Sequence, residues 1–125
     1  MMEDVQLILA ALWTSLMLTY LLGDVIRIFA GDFAAGEMGG EKATQSAWMI
    51  AAILMLIPIV MISLTLIIPH PMNGWLNIIF AVFLFLVNLA GIRGYPSYFD
   101  KFLIVVGLAF NVVIVWYAGT WIGLF

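Results

Sequence analysis

Charged residues interrupt this chain at only a few points, and the gaps between them constrain its fold more than any other feature. Residues 5–23, 43–92 and 102–125 form stretches of 19, 50 and 24 residues without Asp, Glu, Lys or Arg. A helix that crosses a bilayer needs about 20 predominantly apolar residues. The first and third stretches each fit one such helix, and the middle one fits two. The turn that divides it is Ile68-Pro69-His70-Pro71-Met72-Asn73-Gly74. Proline biases the preceding residue away from helix, and Asn-Gly favours a tight turn. The pattern therefore predicts an all-α, four-helix transmembrane bundle in a single domain over residues 1–125, with spans at roughly 5–29, 44–68, 74–92 and 100–122. Strands are not expected, because an open sheet edge has no place in hydrocarbon and no alternating pattern is present. The amino terminus does not read as a cleavable signal, since Glu3 and Asp4 give it the wrong charge.

Composition excludes the alternatives. Hydrophobic residues make up 66% of the 125 residues and charged ones 9%. A soluble domain carries about 25% charged residues, so this chain lacks the polar material to cover a soluble surface. The same figures exclude intrinsic disorder. A net charge of -3 with four Lys plus Arg argues against nucleic-acid binding. The absence of cysteine removes disulfides and thiolate metal sites. His70, alone between two prolines, reads as a turn residue, and no metal site or cofactor is expected. No serine has a plausible histidine base, and no HExxH or paired catalytic carboxylates occur, so an enzyme is the least supported class.

The basic residues orient the bundle. With both termini and the 69–73 turn on one side, Arg27 and loops 30–43 and 93–101 hold all four Lys and Arg on the other. The positive-inside rule places those loops in the cytoplasm and both termini outside. Helical spans imply a cytoplasmic (inner) membrane, because outer-membrane proteins are barrels. Trp75 and Trp121 then fall near the outer boundary, and Trp48, Tyr95 and Tyr98 near the inner one, where aromatic belts form. Trp13 and Trp116 read equally well as packing residues.

Polar residues within the spans are the candidate functional groups. Trp13, Tyr20, Asp24 and Arg27 fall within about 60° of one another on the first helix. An ionised residue in hydrocarbon costs roughly 2.5–3.5 kcal/mol, which an Asp24–Arg27 pair relieves. The pair reads either as an interfacial ion pair with Arg27 snorkelling or as a binding or proton-handling site. Gln45, Ser46 and Asn88 are expected at similar depth. Tyr20, Asp24, Arg27, Gln45 and Asn88 thus outline a candidate polar pocket that opens to the cytoplasm and takes a small molecule or lipid. Asn77 and Asn111 read as interhelical hydrogen-bonding residues, and Pro58 as a kink in the second helix. Gly119 and Gly123 form a small-xxx-small pair that permits close helix contact, within the bundle or with another copy. Loop 30–43 is glycine-rich without a phosphate-binding motif. It reads as a connector ending in a helix start at Thr44, with Phe33 and Met38 able to fold back as a partial lid.

Several short motifs together resemble a known family. They are Leu12-Trp13, Tyr20 with Asp24, Gly39-Gly40, Thr44-Gln45, Ile57-Pro58, Trp75-Leu76-Asn77 and Trp116-Tyr117-Ala118. The combination is similar to an uncharacterised family of small prokaryotic four-span proteins, domain of unknown function 6326. The resemblance covers almost the whole chain and implies the four-span fold, but no activity. Family members often place a glutamate before the Ile-Pro, where this chain has Leu56. Small multidrug transporters and fluoride channels share the length and helix count. The transporters rely on a glutamate deep in the first helix, and the channels on a glycine- and arginine-containing pattern there; this chain has neither. Three functional readings follow: a membrane protein that binds a small molecule or lipid, a transporter or channel subunit acting as a homo-oligomer, and an accessory or scaffold subunit.

Overall fold

The computed structural model describes residues 2–32, 36–38, 41–95 and 97–125. Four helices carry the fold: α1 (Asp4–Ala30), α2 (Gln45–Ile67), α3 (Met72–Gly91) and α4 (Tyr98–Trp121). Each is long and apolar enough to cross a membrane, and together they form an all-α four-helix bundle. α4 packs against both α1 and α3, while α2 lies on α1 and touches α3 only sparsely.

The buried faces follow helical periodicity. On α4 the buried residues are Asp100, Ile104, Gly107, Asn111, Ile114 and Ala118, which recur every three or four positions as one face of a helix must. α1 buries Leu9, Trp13 and Leu16 on the equivalent stripe. α3 turns Asn77, Ala81 and Leu84 inward. These residues, with Met61 of α2 and Ile114 and Ala118 of α4, form the core cluster. α2 runs unbroken through Pro58 and buries only Pro58, Met61 and Thr65. Its Trp48, Met49, Ile50, Ile53 and Leu56 are all exposed.

The helix ends explain where the boundaries fall. Thr44 caps α2 by accepting from the Ala47 N–H at 3.1 Å, which satisfies one of the free donors of a helix start. The α2–α3 turn is shorter than the sequence suggests. Asn73 and Gly74 lie inside the first turn of α3, not in a tight turn before it. The cause is a side-chain bond: Asn73 Nδ2 donates to the carbonyls of Thr65 (2.6 Å) and Ile68 (2.8 Å), closing the end of α2. Pro71 precedes the helix, where a missing N–H does no harm.

The C-terminus corrects a second expectation. Gly119 and Gly123 are not an interhelical pair. Gly123 lies beyond α4 with φ 80°, and the Leu124 and Gly123 N–H groups bond the carbonyls of Gly119 (2.8 Å) and Thr120 (3.3 Å). This is a Schellman stop, which a left-handed glycine favours. It folds Phe125 back over Gly119, where its ring stacks on Trp116 at 5.8 Å.

The first interhelical loop contains one feature the sequence did not suggest. Glu37–Met38 (β1) pairs antiparallel with Glu41–Lys42 (β2), with Glu37 opposite Lys42. The hairpin lies outside the four spans, so its backbone groups need no hydrocarbon partner. The expected lid falls on Phe33, which lies outside the described residues, as does the side chain of Met38.

Candidate functional site

The polar groups of the bundle gather at three depths. At the end carrying the two longer loops, Arg27 of α1 joins two carboxylates. Its Nη1 donates to Asp100 Oδ1 at 2.5 Å and its Nη2 pairs with Asp24. The Arg27 guanidinium also lies 5.0 Å from the Tyr95 ring centroid. The two acids sit in different surroundings. The Asp24 side chain is 48% exposed, whereas that of Asp100 is fully buried. Asp100 Oδ2 has no hydrogen-bond partner. Asp100 occupies the first turn of α4, where the partial positive charge of the helix end favours a carboxylate. Ser97, just before that helix, donates instead to Asp32 Oδ2 at 2.6 Å. The backbone of α1 ends beside this group: the Asp32 N–H bonds the Arg27 carbonyl at 3.1 Å.

Near the middle of the bundle a second group forms around Tyr20. Asn88 Nδ2 donates to the Tyr20 hydroxyl at 2.9 Å and to the Leu84 carbonyl at 2.8 Å. Asn111 of α4 lies beside Tyr20. Both of its amide atoms are buried. Gly107 makes room for the ring: a Cβ there would stand 3.3 Å from Tyr20 Cε1 and 3.6 Å from Leu16 Cδ1. Gly107→Leu is therefore expected to displace Tyr20, break its bond to Asn88 and destabilise the fold by about 1–3 kcal/mol. Unfolding of the variant in mixed micelles checks this.

The third group lies at the end carrying both termini, and it is the most fully bonded. Trp13 Nε1 donates to Asn77 Oδ1 at 2.6 Å. Thr65 Oγ1 donates to the same oxygen at 3.4 Å, and Asn77 Nδ2 donates to the Asn73 carbonyl (2.8 Å) and Oδ1 (2.7 Å). Gln6 Nε2 reaches the Thr65 carbonyl at 3.1 Å. Three helices are thus joined through one buried asparagine. Above them, Trp121 Nε1 donates to Glu3 Oε2 at 3.0 Å and the Trp121 carbonyl faces His70 Nε2 at 3.2 Å.

The sequence-derived pocket is only partly assembled. Tyr20 meets Asn88, and Asp24 meets Arg27. Gln45 does not join them: it is exposed in the first turn of α2, which buries no residue before Pro58. No hydrogen bond links Gln45 to the other four. Asp100, read from the sequence as a loop charge, is instead the buried partner of Arg27. Asn77 bonds across helices, and Asn111 of α4 lies against Tyr20 of α1. Gln6, Thr65 and Asn73 were not singled out. Glu3-x-x-Gln6 was a legible signal for one of them, being a capping-box pattern that the structure forms, with the Glu3 N–H bonded to Gln6 Oε1 at 2.8 Å.

Two depressions are lined almost wholly by apolar side chains. One, of about 210 Å³, lies between Ile53–Leu64 of α2 and Phe80 of α3. The other, of about 220 Å³, lies between α3 and α4. Neither includes Tyr20, Asp24, Arg27, Gln45 or Asn88. Among the described residues, no three His, Asp or Glu side chains are placed to hold a metal ion.

A family model matches residues 1–123. The chain belongs to DUF6326, a family of unknown function. Searches of curated proteins and of solved structures return no significant match. In this DUF6326 protein, Leu56, where related sequences were expected to carry glutamate, is exposed and lines the depression between α2 and α3.

Proposed function

We propose that this DUF6326 protein is a multi-pass protein of the cytoplasmic (inner) membrane that binds an amine-bearing small molecule or lipid headgroup at its cytoplasmic end. The reading rests on one observation: two carboxylates share the single guanidinium of Arg27, and the buried one keeps an oxygen unbonded. The group carries excess negative charge, and Asp32 adds to it from the adjoining loop. Asp24, half exposed, is the carboxylate that a cationic group reaches first. Arg27 and Asp100 form the fixed floor behind it. The orientation follows from the distribution of Lys and Arg, which places Asp24 at the cytoplasmic face.

The test is native mass spectrometry of the full chain released from a mild detergent. The protein is first equilibrated with phosphatidylethanolamine or with phosphatidylglycerol. A 1:1 adduct with the amine lipid is expected, weakened several-fold in Asp24→Asn. A parallel melting experiment with free ethanolamine identifies a soluble amine, since a ligand raises stability by RT ln(1 + [L]/Kd). No adduct and no melting shift overturn the reading.

A second reading has its own support. α2 buries only three residues and leaves a long apolar face outside the bundle. That favours a subunit of a larger assembly, as an oligomeric transporter or channel or as an accessory scaffold. A discrete bare oligomer in the same spectra supports it.

A further inference from the structure

Pro58 divides α2 into two halves that are held very differently. No residue of α2 before Pro58 is buried, whereas Pro58, Met61 and Thr65 are. Among the described residues, every side-chain hydrogen bond between α2 and another helix falls at Thr65. Its carbonyl accepts from Gln6 Nε2 of α1 and Asn73 Nδ2 of α3, and its hydroxyl donates to Asn77. In a bilayer this difference counts fully, because lipid supplies no hydrophobic drive between helices and only packing and polar bonds hold them together. The two halves are also weakly joined along the helix axis. Pro58 has no N–H, so the Leu54 carbonyl lacks its helical donor, and the helix bends there more easily than at an ordinary turn.

The depression between α2 and α3 straddles this point. Ile53, Leu56 and Ile57 line it from the first half of α2, and Val60, Met61 and Leu64 from the second, together with Phe80 of α3. α2 and α3 are consecutive and joined by a short turn, yet they touch only sparsely. We propose that residues 45–57 of α2 form a gate that pivots at Pro58 and sets the width of the cleft between α2 and α3. Bent toward α3, the gate brings Ile53, Leu56 and Ile57 onto Phe80 and shuts the depression. Bent away, it opens the depression sideways to the bilayer. The second half of α2 stays fixed through Thr65. The gate does not depend on what binds at Asp24.

The test is double electron–electron resonance on the full chain in lipid nanodiscs. The chain has no cysteine, so introduced pairs carry the only spin labels. Met49→Cys with Leu89→Cys, and Ala52→Cys with Leu86→Cys, report the first half of α2 against α3. Ser63→Cys with Ile79→Cys reports the second half. All these side chains are exposed, so the labels disturb no core contact. Both first-half pairs are expected to give distance distributions about twofold wider than the second-half pair, as a segment with few buried contacts should. Pro58→Ala, which restores the missing hydrogen bond, is expected to remove most of that excess width. Equal widths in the wild type overturn the proposal. So does excess width confined to the pair at Met49 and Leu89, which marks fraying of the helix end, and so does an excess that survives Pro58→Ala. Should Pro58→Ala fail to fold, the widths of the three pairs in the otherwise unaltered chain decide the matter.

Discussion

Replacing Arg27 with methionine is expected to destabilise the protein by about 3–5 kcal/mol, because it strands a buried carboxylate. Asp100 is fully buried, and its one hydrogen-bonded oxygen is held by Arg27. Without the guanidinium the remaining charge has no compensation, and the start of α4 loses its tie to the end of α1. The measurement is unfolding in mixed micelles of dodecyl maltoside and sodium dodecyl sulfate. Two companions give the result its meaning. Asp24→Asn removes a half-exposed carboxylate and should cost less than about 1 kcal/mol, as exposed ion pairs do. Arg27→Met combined with Asp100→Leu should recover most of the loss, since apolar residues often replace a buried pair without penalty. An Arg27→Met variant no less stable than Asp24→Asn contradicts this account of the clamp.

The same residues show how much of the fold was written in the sequence. Uncharged run length places the four helices to within a few residues, because the hydrocarbon thickness sets their length. Run length carries no information about which face is buried. The spans are apolar all round, so the usual contrast between an apolar inner and a polar outer face is absent. The few polar side chains supply it instead: Asn77 on α3, Asn111 on α4 and Gln6 on α1 all lie on buried faces. Reading polar positions as inward positions recovers the packing of α1, α3 and α4.

Other features were not legible for physical reasons. Asp24 and Arg27 are three residues apart, and their pairing follows from helix geometry alone. Asp100 is 73 residues from Arg27, and only the packing of α1 against α4 brings them together. Gln45 was placed at a shared depth, but depth does not fix lateral position. No residue of α2 before Pro58 is buried, and nothing in an all-apolar helix announces that. Asn73-Gly74 has the form of a turn, yet the Asn73 side chain closes the preceding helix and the pair is absorbed into α3.

Trp13→Ala is the second substitution expected to have a large effect, at about 3–5 kcal/mol. The indole is fully buried at the centre of the core cluster, so truncation opens a cavity among Leu9, Leu16 and their neighbours. It also removes the donor that Asn77 Oδ1 accepts at 2.6 Å. The two contributions separate experimentally. Trp13→Phe keeps much of the apolar volume and removes only the N–H. Interhelical hydrogen bonds in membrane proteins average about 0.6 kcal/mol and reach roughly 1.7 kcal/mol. A double-mutant cycle of Trp13→Phe with Asn77→Leu should therefore return a coupling of about 1 kcal/mol or more, since both groups are buried and the bond is short. The rest of the alanine effect is then packing. A coupling near zero means that Thr65, whose hydroxyl lies 3.4 Å from the same oxygen, takes over when the indole is lost. In that case the network is redundant, and packing through α2 and α4 holds α1 and α3 in place at this end of the bundle.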